Sequence, residues 1–246
     1  MRTIPRYFFL ALSFLTRIPV PDLGKLEAVD FGRAALFYPL VGLLIGALLC
    51  LPMLLFPNAS AVLLAAIVTV LWAALTGGLH LDGLADSADA WLGGFGDVEK
   101  THRILKDPLV GAAGAIALIG LLLLKFAALV VVLEHGVWWV VLLAPALGRA
   151  LVLLLFLTTP YVRAGGLASA VTEHLPRTLA WWLTLATLAL FALVSLHGLF
   201  AVLLGFWLLR RMMVQRLRGC TGDTAGAAVE SGEMLWLVGV ALGLPV

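Results

Sequence analysis

Apolar stretches of up to two dozen residues follow one another along this chain, near 36–56, 61–79, 110–133, 138–159, 180–196, 199–212 and 234–246. A bilayer core takes about 20 mostly apolar residues per helix. An isolated strand cannot satisfy its backbone in lipid, so each stretch is read as a helix. Composition agrees: 63% of the 246 residues are hydrophobic and 12% charged, against about a quarter charged in a globular domain. The expected fold is all-α, a single integral membrane domain over residues 1–246 built as a polytopic bundle of about six or seven transmembrane helices. Residues 180–212 admit two readings, a hairpin broken at His197-Gly198 or, over 180–209, one long tilted helix.

The start, "MRTIPRYFFLALSFLTRIPVP", has the charge and apolar run of a secretory signal but no small-residue cleavage site, so it is expected to remain. Arg6, Ser13 and Arg17 fall on one side of a helix. That suits an N-terminal interfacial helix lying on the membrane; a first helix packed in the bundle is the alternative. Cys50 and Cys220 stand far apart, without partners at metal-ligand spacing, which argues against a disulfide or zinc site. A net charge of +2 gives no footing for nucleic acid.

Charge placement gives topology. Arg2, Arg6, Arg17, Lys25 and Arg33 precede the first span; Lys100, Arg103 and Lys106 lie in loop 80–108, Arg163 and Arg177 in 160–178, and Arg210, Arg211, Arg216 and Arg218 in 210–233. The turns at 57–60, 134–136 and 197–198 contain no Lys or Arg. By the positive-inside rule the charged loops are cytoplasmic and the turns external. A single span over 180–209 would send four arginines outside, so the hairpin is favoured.

The acids gather in the same charged segments. In "HLDGLADSADAW", residues 80–91, Asp82, Asp86 and Asp89 are spaced i, i+4, i+7, one stripe of a helix over about 10 Å. A solvated helix end would mix Lys and Arg among its acids, and residues 80–96 contain neither. Three like charges on adjacent turns call for a cation, and Mg²⁺, held by one or two carboxylates with water and substrate phosphate, suits them. Asp86 is placed to bridge two ions, an arrangement fitted to in-line phosphoryl displacement.

In "CTGDTAGAAVESGE", Asp223 and Glu230 repeat the i, i+7 spacing, with Glu233 beyond and small residues between that permit close approach of another helix. The expected metal set is therefore Asp82, Asp86, Asp89, Asp223 and Glu230. A plainer reading has Asp223 cap the last helix. For phosphate, Arg103 and Lys106 precede a Gly-rich helix start whose backbone N–H groups, with Gly111, suit an anion. Arg149 lies mid-span, where an Arg faces a polar cavity or a paired acid. Lys125, also within a span, is read as snorkelling or locally paired. His80 is a candidate base, alongside Asp82, Asp86 and Asp89, or a group orienting a ligand.

Five segments together resemble the adenosylcobinamide-GDP ribazoletransferase family, also called cobalamin-5′-phosphate synthase. They are "FLTRIPVP" at 14–21, "GGLHLDGLADSADAWLGG" at 77–94, "KDPLVGAAGAIAL" at 106–118, "GRA" at 148–150 and "TGDTAGAAVE" at 221–230. Ala90 stands where the family usually has glycine, and Pro108 replaces a small polar residue. The resemblance implies that a hydroxyl of α-ribazole, or of its 5′-phosphate, attacks the corrinoid-side phosphate of adenosylcobinamide-GDP. GMP leaves, with Mg²⁺ as cofactor, in the cytoplasmic membrane of a bacterium or archaeon with the site facing the cytoplasm. A homo-oligomer is compatible with this. Asp86-x₂-Asp89 followed by Gly93-x₃-Asp97 partly resembles the CDP-alcohol phosphotransferases, although Thr101 stands where a final Asp belongs. A lipid phosphotransferase of that kind and a cation transporter are the rival readings.

Overall fold

A computed structural model describes residues 4–163 and 165–245. Among them are twelve α-helices and no β-strand beyond one isolated bridge. They are α1 (Ile4–Leu15), α2 (Ala28–Ala34), α3 (Tyr38–Leu55), α4 (Ala61–Thr76), α5 (Leu79–Gly94), α6 (Val98–Ile104), α7 (Ala112–Glu134), α8 (Trp139–Thr158), α9 (Leu167–His174), α10 (Arg177–Val194), α11 (Leu196–Leu217) and α12 (Gly222–Leu242). A 3₁₀ turn, Ala35–Phe37, runs α2 into α3. Six helical segments are long and apolar enough to cross a membrane (Ala28–Leu55, α7, α8, α10, α11 and α12), and α4 with α5 brings the number to seven if that bent pair is one span.

The α4–α5 pair is bent by 89°. Gly77 and Gly78 cause it, both left-handed at φ 62° and 72°, a conformation that costs glycine little. Arg17 fills the outside of this corner, where a Cβ on Gly77 would lie 2.0 Å from its Nε. The apolar span therefore ends at the corner, and α5 runs across it.

Helix α8 forms the centre, with 83% of its span window buried. Helix α3 lies close along it through Gly42 and Gly46; a Cβ on Gly46 would come within 2.0 Å of the Leu142 carbonyl oxygen. Helix α12 packs among α5, α7, α8 and α11. By contrast α7 and α10 bury only 28% and 17% of their windows. Leu123, Trp182, Leu190, Leu193 and Phe200 point outward from the bundle, the belt that lipid covers. Helix α1 buries Tyr7, Leu10, Ala11, Leu12 and Leu15 and packs on α2 and α3, as the bundled reading of the N-terminus expects.

Two expected boundaries move. Residues 180–212 form the hairpin, but the break is at Ser195, whose Oγ accepts from Gly198 N–H at 3.1 Å and so starts α11. The last helix begins at Gly222, not near 234, so its acid-bearing half belongs to the bundle. Both cysteines are free and buried.

The charged segments converge at one end, where Tyr161 and Cys220 bridge the loops entering α9 and α12. The turn between α7 and α8 is at the other end, where His135 Nε2 lies 3.0 Å from the Pro245 carbonyl at the end of α12. Truncation fusions to a compartment-sensitive reporter should therefore sort into two classes. Those after residues 58 and 135 report one side of the membrane and those after 95, 170 and 220 the other. A fusion at 220 reading with the 135 class contradicts the hairpin.

Candidate active site

The two acidic segments meet where α5 crosses α12. The approach is set by glycine on each side: a Cβ on Gly83 would lie 2.5 Å from the Asp223 carbonyl oxygen, and one on Gly226 would lie 3.2 Å from the His80 backbone. The expected role of small residues in "TGDTAGAAVE" is thereby met. Beside the crossing is a cavity of about 480 Å³. His80 and Asp82 enter it from α5, Asp223 from the first turn of α12, and Arg163 from the loop between α8 and α9. Phe14, Tyr38, Val152 and Phe156 give it an apolar wall.

Asp86 lies one turn beyond Asp82, on the part of α5 past the corner. Its carboxyl is pushed up to about 6, first by burial and then by the charges of Asp82, Asp223 and Asp89, with Arg163 opposing. An acid lifted by other acids marks a place where negative charge is left over. Arg163 meets part of it, donating from Nη1 to Asp223 Oδ2 at 2.8 Å. Capping is not the role of Asp223: Thr221 is the N-cap of α12 and accepts from Thr224 N–H at 3.3 Å.

Other acids are already committed. Asp89 accepts from Gly111 N–H at 2.7 Å and from Gly114 N–H at 2.9 Å, so both oxygens sit on the N-terminus of α7. The backbone donors expected to hold phosphate there hold this carboxylate instead. Asp97 caps α6, accepting from Lys100 N–H at 3.0 Å, which removes it from a CDP-alcohol-type acid set. Ala90, in place of the usual glycine, is a buried helical residue packed with Leu105 and Leu217, where a methyl fits.

Glu230 corrects the sequence expectation most. It does not join Asp223; it lies buried 2.9 Å from Lys125 Nζ on α7. The same ammonium is 2.7 Å from Glu233, which also pairs with Arg149 of α8, and it stands 3.9 Å from the Trp72 ring centre. Arg149 is fully buried and bonded to Glu233, so it lies apart from the cavity and is not placed to hold phosphate. Its Nη2 is 3.4 Å from His80 Nδ1. A guanidinium only donates, so Nδ1 is the acceptor and the ring's proton is on Nε2. His80 thereby becomes a donor and ceases to be a candidate base. Arg103 and Lys106 are exposed at the end of α6 and line neither cavity described here.

Arg163 is the functional residue the sequence reading missed, since its loop charge counted only toward topology. The signal lies in the fold: Val162 N–H donates to the Cys220 carbonyl at 3.0 Å and Cys220 N–H to that of Pro160 at 2.8 Å, fixing residue 163 beside 223. Among the described residues no three His, Cys, Asp or Glu side chains converge tightly enough to hold a metal by themselves. Asp82 and Asp223 on facing helices do fit Mg²⁺, which keeps several waters and binds one or two carboxylates plus phosphate.

The sequence pattern of the family described as cobalamin-5-phosphate synthase matches residues 7–241. The chain belongs to this family. The adenosylcobinamide-GDP ribazoletransferases of Pseudomonas putida (strain W619) and Pseudomonas entomophila (strain L48) are each 52% identical over 239 residues, covering 96% of this chain and 98% of theirs. That of Acinetobacter baumannii (strain ATCC 17978) is 49% identical over 230 residues, covering 92% and 93%. No solved structure matches. Within the cobalamin-5-phosphate synthase family, the Asp stripe of this member separates by role: Asp89 anchors the start of α7, Asp82 lines the cavity, and Asp86 lies between them outside its lining. Asp89→Ala should lower the unfolding free energy by about 2 kcal/mol, through two lost charge-assisted hydrogen bonds at a helix N-terminus. Asp82→Asn, at an exposed side chain, should change it by less than about 0.5 kcal/mol. Denaturant titration in detergent checks both, and equal costs would contradict the division.

Proposed function

We propose that the chain joins adenosylcobinamide-GDP to α-ribazole or its 5′-phosphate, releasing GMP and forming adenosylcobalamin or its 5′-phosphate. The reading rests on family membership together with one observation: Asp82 and Asp223 line one cavity with Arg163, which is bonded to Asp223. Phosphoryl transfer of this kind is chiefly positioning and charge neutralisation. A ribose hydroxyl oxygen forms the new bond to the corrinoid-side phosphorus as the bond from that phosphorus to the GMP oxygen breaks. Asp82 and Asp223 would hold Mg²⁺ together with substrate phosphate, and the ion would neutralise pyrophosphate charge there. Arg163 steadies phosphate oxygens from the loop side, and His80 donates from Nε2. The hydroxyl proton passes to the carboxylates gathered where α5 crosses α12.

The Lys and Arg of the charged loops support a cytoplasmic position for this end of the bundle, where phosphorylated substrates are soluble. Cation transport is disfavoured by the deepest acids of α12: Glu230 and Glu233 are matched by Lys125 and Arg149 and are not free to line an ion path. Purified protein in lipid, given adenosylcobinamide-GDP, α-ribazole and Mg²⁺, should release GMP and stop when the metal is chelated. Asp82→Asn and Asp86→Asn should each cut turnover about 100-fold or more while remaining folded. Near-wild-type turnover by both variants at limiting Mg²⁺ contradicts the proposal.

A further inference from the structure

A second cavity, of about 430 Å³, adjoins the first and shares Phe156, Tyr161 and Arg163 with it. The two differ in chemistry. Beyond its acidic mouth, the first is walled by aromatic and aliphatic side chains. The second is lined by Thr159, Ser169, Thr172, Glu173 and a second arginine, Arg177. Its one acid is partly occupied, because Glu173 accepts from Ser169 Oγ at 2.7 Å. Arg177 is anchored through Nη2 to the Leu157 carbonyl at 2.7 Å, which orients the guanidinium at the start of α10. Arg163 borders both spaces and is fixed to Asp223.

Size excludes the corrinoid from these spaces. A pocket of a few hundred Å³ encloses a ligand of roughly 20 non-hydrogen atoms, about that of a benzimidazole nucleoside, and a corrinoid is several times larger. The apolar wall suits the dimethylated aromatic base of such a nucleoside, and its ribose would then stand at the acids. A phosphate on the far side of that ribose has a polar space next door with two guanidinium groups, which bind phosphate as planar forks.

We infer that the two cavities divide the acceptor between them, the apolar one taking the aromatic base and the polar one taking the 5′-phosphate on Arg163 and Arg177. The inference rests on the ribazoletransferase reading and assigns residues to the acceptor it takes: Arg163 and Arg177 to the phosphate, the Val152 wall to the base. Arg163 couples the two ends, since the guanidinium that meets the acceptor phosphate also holds Asp223.

The test compares α-ribazole 5′-phosphate with α-ribazole, using full-length protein in lipid nanodiscs and GMP release as readout. Arg177→Gln should lower the ratio of kcat/KM for the phosphorylated over the unphosphorylated acceptor at least tenfold. Val152→Phe, which fills the apolar cavity, should raise KM for both acceptors and leave that for adenosylcobinamide-GDP within twofold. Should Arg177→Gln fail to fold, Thr172→Glu reads the same ratio by repulsion. An unchanged ratio with a raised KM for adenosylcobinamide-GDP gives the polar cavity to the other substrate and overturns the inference. An unchanged ratio with both acceptors weakened alike, as a lipid headgroup phosphate in that space would produce, overturns it too. Wild-type protein releasing no GMP with either acceptor refutes the ribazoletransferase reading itself, and the inference with it.

Discussion

The ion pairs of Lys125 with Glu230 and Glu233, and of Arg149 with Glu233, hold the architecture in place. They join α7, α8 and α12 inside the bundle. Breaking one buried pair leaves an uncompensated charge, at a cost of about 3–5 kcal/mol. With two cations against two anions the interior is neutral, and the polar first half of α12 can lie among apolar helices. If α12 began near 234 its acids would stay in the loop and the crossing with α5 would not exist. Arg149 extends the same network to His80, tying α5 to it.

Against that neutral interior, the acids of the cavity stand out by what they lack. Asp89 is taken up by the start of α7 and Asp97 by that of α6. Asp223 has Arg163. Asp82 and Asp86 lie near it on α5, and the rise of the Asp86 carboxyl to about 6 follows first from burial and then from the charges of Asp82, Asp223 and Asp89. The fold thus neutralises acids at depth and concentrates negative charge beside the first of two adjoining cavities. A pyrophosphate would bring more negative charge to this place, which is the physical reason for proposing a divalent cation there.

Much of this was legible in the chain. Apolar length gave the helical bundle, and the arginines after 209 decided for the hairpin. The i, i+7 stripes at 82–89 and 223–230 marked the two helices that meet. What sequence spacing cannot show is which acid has a partner. Glu230 and Asp223 look alike along α12, yet Lys125 lies 105 residues from Glu230, and only tertiary packing joins them. The same holds for Arg163, positioned by the pairing of its loop with Cys220, and for Asp89: the Gly-rich start of α7 is legible as an anion site, but not that the anion is this carboxylate. Helix α12 was begun too late because its first twelve residues are too polar for a span by hydropathy; their small side chains and distant cations carry them inside.

The central claim is that α5 and α12 form one site. The most direct measurement is a double-mutant cycle on kcat/KM for GMP release with Asp86→Asn, Asp223→Asn and the pair. One shared site predicts strong non-additivity, a coupling of about 1 kcal/mol or more between the two positions. Effects that add within about 0.5 kcal/mol would mean that the two acidic helices act separately, and would contradict the account.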